Sequence, residues 1–87
     1  MNEFLKQLSI TATGNYVEDK YTIEINNFNE FSLIYNKLEQ SELITKDSDE
    51  SFFNMDEAHV VYLSDEYEIL LLGDLNNDVY KLIVEEL

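Results

Sequence analysis

The sequence predicts a single small α+β domain, an antiparallel sheet with one covering helix in the order ββαβββ. Three observations predict it. Eighty-seven residues, 45% of them hydrophobic with six Tyr and five Phe, are enough for one modest core and too apolar for a disordered chain. Several short stretches alternate apolar and polar residues, the period of a half-buried strand. One stretch, Phe31, Ile34, Tyr35 and Leu38, repeats instead at i, i+3, i+4 and i+7, the stripe of an amphipathic helix.

Taken in order, Leu8, Ile10 and Ala12 alternate with Gln7, Ser9, Thr11 and Thr13 and read as a first strand. Gly14-Asn15 supplies a turn signal. An acidic loop at Glu18-Asp19 leads to Tyr21, Ile23 and Ile25, which alternate with Thr22 and Glu24, so the pair reads as a hairpin. Asn27 followed by Glu30 has the form of a capped helix start, and the apolar stripe carries that helix over 28–41. Residues 45–57 are mostly polar and read as a loop pinned by Phe52 and Phe53. Residues 60–63 and 67–72 read as strands joined by a Ser64-Asp65-Glu66 turn, with Leu72-Gly73-Asp74 ending the second. The tail from Asp78 leaves two readings open. Tyr80, Leu82 and Val84 alternate as in a strand, while Asp78, Lys81 and Glu85 would share a helical face; the Val, Tyr and Ile content favours the strand.

Charge is the most informative property. Nineteen acids stand against five lysines, with no arginine, for a net charge of −14. Residues 1–46 carry −3 and residues 47–87 carry −11, with Lys81 the one cation of the second part. Such an excess destabilises a compact fold by self-repulsion, but it draws in basic partners. It disfavours direct nucleic-acid binding, in which Lys and Arg neutralise phosphates, and contact with anionic lipid. The longest aliphatic run, residues 69–72, falls far short of a membrane span. The start Met1-Asn2-Glu3-Phe4-Leu5-Lys6 lacks the pattern of a signal peptide, and the chain has no cysteine, in keeping with a cytoplasmic protein.

Catalysis finds little support. No Cys–His pair is available, and His59 is the only histidine. Ser51 and Ser64, the serines that could join it in a nucleophilic set, lie outside any Gly-x-Ser-x-Gly elbow. His59 precedes Val60-Val61 and reads as a strand residue. Carboxylate pairs are always available in so acidic a chain and distinguish nothing. The two glycines, Gly14 and Gly73, cannot form a phosphate loop. No cofactor is implied. One metal pattern exists: Asp74, Asn76 and Asp78 occupy positions 1, 3 and 5 of a calcium loop and Glu85 position 12, but position 6 is Val79 where the sharp turn needs Gly. An Asn- and Asp-rich hairpin turn is the simpler reading.

The acids themselves remain. Asp47, Asp49, Glu50, Asp56, Glu57, Asp65, Glu66, Glu68, Asp74 and Asp78 are the candidate partner-binding residues, with Tyr67 as an anchor among them. A solvated surface is the usual fate of charged residues. Here Lys81 is the one lysine beyond position 46 to offset the repulsion, and same-face residues on a strand stand about 6.6 Å apart, so the carboxylates can form a dense anionic array. Tyr62 and Tyr80 lie in the same region, and any exposed tyrosine there would offer rigid contact area.

In its size, its −14 charge, its lack of cysteine and its acid-rich stretch 47–86, the chain resembles the small acidic proteins that phages encode against bacterial defences, anti-CRISPR proteins and DNA mimics in particular. Its use of Asn and of Lys without Arg fits an AT-rich coding genome. The resemblance implies a stoichiometric inhibitor, monomeric or a small homo-oligomer, acting in the cytoplasm of an infected bacterium. It would occupy the basic nucleic-acid-binding cleft of a Cas effector nuclease and block DNA recognition. An immunity protein or antitoxin covering a basic nuclease toxin has the same electrostatics. A Ca2+-binding module is a further alternative, as is an accessory protein acidic for solubility alone.

Overall fold

The computed structural model describes residues 2–11 and 13–87. In chain order the elements are α1 (Asn2–Gln7), β1 (Asn15–Val17), β2 (Lys20–Ile25), α2 (Phe28–Gln40), β3 (Thr45–Lys46), β4 (Phe52–Phe53), β5 (Glu57–Leu63), β6 (Tyr67–Asp74) and β7 (Val79–Glu86). The fold is α+β, with one main helix on an antiparallel sheet of order β1-β2-β7-β6-β5-β3 and β4 also on β5. The sequence reading ββαβββ undercounts the strands. Two short ones, β3 and β4, lie in the stretch taken as a loop. They pair with opposite ends of β5, Lys46 opposite Tyr62 and Phe52 opposite His59, as two pieces of one interrupted edge strand.

The N-terminus also departs from expectation. Residues 7–13 do not form a strand: the chain opens with α1, which buries Phe4 and Leu5. The alternation of Leu8 with Ile10 misled because both are buried in the exit from this helix. The Ser9 amide donates to Lys6 O and the Ile10 amide to Leu5 O, a Schellman closure with Ser9 in the left-handed region at φ 61°. Ala12 lies outside the described residues. The expected hairpin does form, but from β1 and β2. Its two-residue turn is Glu18-Asp19, both at positive φ, rather than Gly14-Asn15. Gly14 serves another purpose. A Cβ there would stand 2.5 Å from the Thr22 carbonyl oxygen, so only glycine lets the chain pass so close to β2.

α2 matches its sequence signature. Asn27 caps it by accepting the Glu30 amide at 2.9 Å, and Phe31, Ile34 and Leu38 are buried along one stripe. The C-terminal element is a strand, and it lies in the middle of the sheet between β2 and β6. On the inner face, rows of side chains run across the strands: Ile23, Leu82, Leu71 and Val60 in one, Tyr21, Val84, Ile69 and Tyr62 in the next, all buried. α2 lies on this face, with Phe31 against Tyr80 at 4.9 Å between ring centroids and against Phe53 at 5.8 Å. α1 lies there too, its Phe4 ring stacked on Tyr67 at 4.3 Å. Among the described residues, no helix lies on the opposite face of the sheet.

Candidate functional site

Strand register determines where each carboxylate points. On β6 the odd-numbered residues from 67 to 73 face the helices, so Glu68, Leu70, Leu72 and Asp74 face outward. Register then sets Glu68 directly opposite Glu85 of β7, and Glu57 of β5 directly opposite Asp74. Each is a like-charge cross-strand pair, an arrangement that destabilises a sheet when nothing neutralises it. Six residues of β6 separate the two pairs, about 20 Å of strand. Lys20 reaches Glu85 at 3.5 Å. Among the described residues, no ion pair reaches Glu57 or Asp74.

The other candidate acids extend these two ends. Asp65 and Glu66 occupy the β5–β6 turn beside the Glu68–Glu85 pair, where the Leu87 amide donates to Glu66 O. Asp56 precedes β5 at the opposite end, and its carboxylate accepts from Asn76 Nδ2 at 3.3 Å in the β6–β7 loop, which also carries Asp78. Asp47, Asp49 and Glu50 form a third group in the loop that interrupts the edge strand. That loop is anchored to β5: the Asp47 amide donates to Val61 O at 2.8 Å, and the Ser51 hydroxyl accepts the Val61 amide at 2.9 Å. The candidate acids are thus brought together as two sheet ends and one edge loop, not as a single cluster. Tyr67 belongs to neither end of the outer face. Its ring packs on Phe4 on the helix side, where Tyr62 and Tyr80 are buried as well.

The calcium-loop reading does not survive the register. Asp74 pairs with Val79, and residues 75–78 form an ordinary four-residue hairpin loop with Asp78 at φ 54°. Asp74 accepts from the Asn77 amide and side chain within that loop. Glu85 is six residues further along β7, about 20 Å from Val79, and cannot complete a coordination sphere with Asp74. Among the described residues no group of three or more His, Asp or Glu side chains is placed to hold a metal ion.

The serines proposed for a nucleophilic set are engaged with backbone. Ser51 Oγ bonds Val61 N and Asp47 O, and Ser64 Oγ accepts the Tyr67 amide inside its turn. His59 lies on the outer face, its ring stacked on Phe52 at 5.4 Å.

One polar centre was not anticipated. Glu39, near the end of α2, accepts from Lys46 Nζ at 2.9 Å, from the Tyr62 hydroxyl at 2.9 Å and from the Tyr35 hydroxyl at 3.1 Å. Burial alone would raise its carboxyl, but the three donors outweigh that and hold it below the ordinary carboxylate range. Burial, reinforced by the neighbouring Glu39 carboxylate, pushes the Tyr62 hydroxyl strongly upward. With every partner matched, this cluster ties helix to sheet and leaves no free group for chemistry.

Comparison with protein-family models, curated proteins and solved structures finds no match for this chain. Among the described residues, no helix is long and apolar enough to cross a membrane.

Proposed function

We propose that this protein is a phage-type inhibitor of a bacterial defence nuclease, an acidic decoy that occupies the basic nucleic-acid-binding cleft of a Cas effector. The observation that carries this reading is the pair of opposed carboxylates at each end of the outer sheet face, Glu57 with Asp74 and Glu68 with Glu85. Asp74 also holds the Asn77 amide and side chain, and Glu85 has Lys20 at 3.5 Å, but the carboxylates of Glu57 and Glu68 are engaged in no hydrogen bond or ion pair among the described residues, and cross-strand repulsion disfavours both. Acids placed so make sense where a partner supplies cations beyond the single lysine, Lys20, at the Glu68–Glu85 end. Desolvated Arg and Lys side chains of a cleft that grips phosphates would grip these carboxylates in the same way, and the surrounding field would speed association.

The test is a pull-down with tagged protein from a host carrying intact CRISPR systems, washed at low and at high salt. Recovery of a Cas nuclease, lost as salt rises and competed by target DNA, is the expected result. Absence of any basic nucleic-acid-binding protein at low salt would overturn the proposal. Recovery of a basic nuclease toxin in place of a Cas protein would turn the same electrostatics into those of an immunity protein.

A further inference from the structure

Between the two carboxylate pairs the outer face carries one largely apolar row and one mixed row. One row across the strands runs Val61, Leu70, Ile83 and Thr22; the next runs Phe52, His59, Leu72, Lys81 and Glu24. Leu70, Leu72 and Ile83 are partly open to solvent, and the margins carry Phe52 at 46% exposure, Val79 at 47% and Leu63 at 37%. Both helices lie on the other face; here the 47–51 loop bonds the Val61 backbone and Val61 is buried, while Leu70, Leu72 and Ile83 stay partly open. The cation in the patch, Lys81, is matched by Glu24 at 4.0 Å.

We infer that this face is a docking surface for a basic amphipathic helix of the partner protein, laid across the strands with its apolar side on Leu70, Leu72 and Ile83. The inference rests on the reading of the protein as a binder of a basic partner, and it identifies what part of that partner is held. Charge and dimensions select the occupant. The two rows, which present Leu70 and Ile83 in one and Leu72 in the other, are about 6.6 Å apart, with carboxylates one step beyond each row. A helix with its side chains is about 10–12 Å across, so it fills the apolar strip and leaves both flanks beside the acids. Lys or Arg on one flank would meet Glu68 and Glu85, and on the other Glu57 and Asp74, while their aliphatic stems lie along the strip. A second copy of this chain would bring the same carboxylates against one another, and anionic lipid would be repelled.

The experiment uses the full chain, isotopically labelled, and a synthetic 18-residue helical peptide with one leucine face and lysines on both flanks. A scrambled peptide of identical composition is the control. Saturable one-to-one binding is expected, with amide shifts centred on Leu70, Leu72 and Ile83 and at least tenfold tighter than for the scrambled peptide. Leu70→Thr with Ile83→Thr places strand-favouring β-branched residues at both positions and should weaken the ordered peptide at least tenfold while far-UV dichroism is unchanged. Equal affinity for both peptides, or shifts confined to residues 47–50, 56–57 and 65–66, would overturn the inference. So would sedimentation showing a dimer that the double variant disrupts. A Cas nuclease retained equally by wild type and double variant would overturn the docking face and leave the inhibitor reading standing. Tight, ordered peptide binding with no basic nucleic-acid-binding protein captured from the host would do the reverse.

Discussion

At the scale of single residues, Glu39 joins the end of α2 to the sheet edge through three donors. Tyr62→Phe removes one donor to a charged acceptor in a half-buried site and should destabilise the fold by about 1–2 kcal/mol in urea titration. The pH dependence has a definite sign. Because the folded Glu39 carboxyl titrates below its unfolded value, its contribution is complete above the ordinary carboxylate range and is lost as pH falls through the lowered folded value. Glu39→Gln should therefore lose less stability than wild type on acidification from pH 5, as followed by thermal unfolding. Nothing in the sequence announced this centre, since Tyr62 is 23 positions from Glu39 and only the fold brings them together. The Asn27 cap was legible because its partner, Glu30, is three residues away. Gly14 was legible as special but for the wrong reason. The constraint is the Thr22 carbonyl of β2, so Gly14→Ala should cost on the order of 1–3 kcal/mol even though no positive φ is involved.

At the scale of elements, period was a sufficient guide wherever an element was long. α2 repeats its pattern enough to declare itself, β5 and β6 were legible as the largely apolar runs 60–63 and 67–72, and β7, whose residues fitted a strand or a helix, is a strand with both of its edges paired. The misreadings fell on short pieces. α1 is six residues long with Phe4 and Leu5 buried, and Leu8 and Ile10, buried in the turn that follows it, gave a false period of two. β3 and β4 have two residues each and no period at all; β5 recruits them through pairing that is long-range in sequence. The β1–β2 turn holds Glu18 and Asp19 at positive φ, where Asn-Gly is the unstrained choice. Replacing both, Glu18→Asn with Asp19→Gly, should raise stability by about 1 kcal/mol and the melting temperature with it. Ser9 at φ 61° is a second such position, and Ser9→Gly should be neutral to mildly stabilising in the same assay.

Across the whole molecule, the charge of −14 sets stability against association. Added salt should raise the melting temperature by screening self-repulsion while it weakens capture of a basic partner. Glu57→Lys tests the opposition at one site. It converts the repulsive pair with Asp74 into an attractive one and should stabilise the fold by several tenths of a kcal/mol, while weakening partner binding several-fold in the salt-resolved pull-down. If binding is unchanged, the acids at that sheet end play no part in recognition. The excess of charge and its weight toward residues 47–87 were legible from composition. Its division into two sheet ends and an edge loop was not, because only register decides which residues of β5, β6 and β7 share a face. The apolar strip escaped notice for the same reason: Leu70 and Leu72 belong to a run in which Ile69 and Leu71 point to the core, and the run reads as one buried strand.

The interrupted edge strand bears on how concentrated the protein can become. Free strand edges invite pairing with other chains, the first step toward aggregates, and this chain has no proline to block one. One border of the sheet is a three-residue strand; the other is broken into two-residue pieces by a loop containing Asp47, Asp49 and Glu50. Neither offers a long, flat, uncharged template. On the proposed reading, an inhibitor that acts by occupation accumulates to the level of its target, and a sheet bounded in this way gives edge-to-edge pairing little to start from at such concentrations.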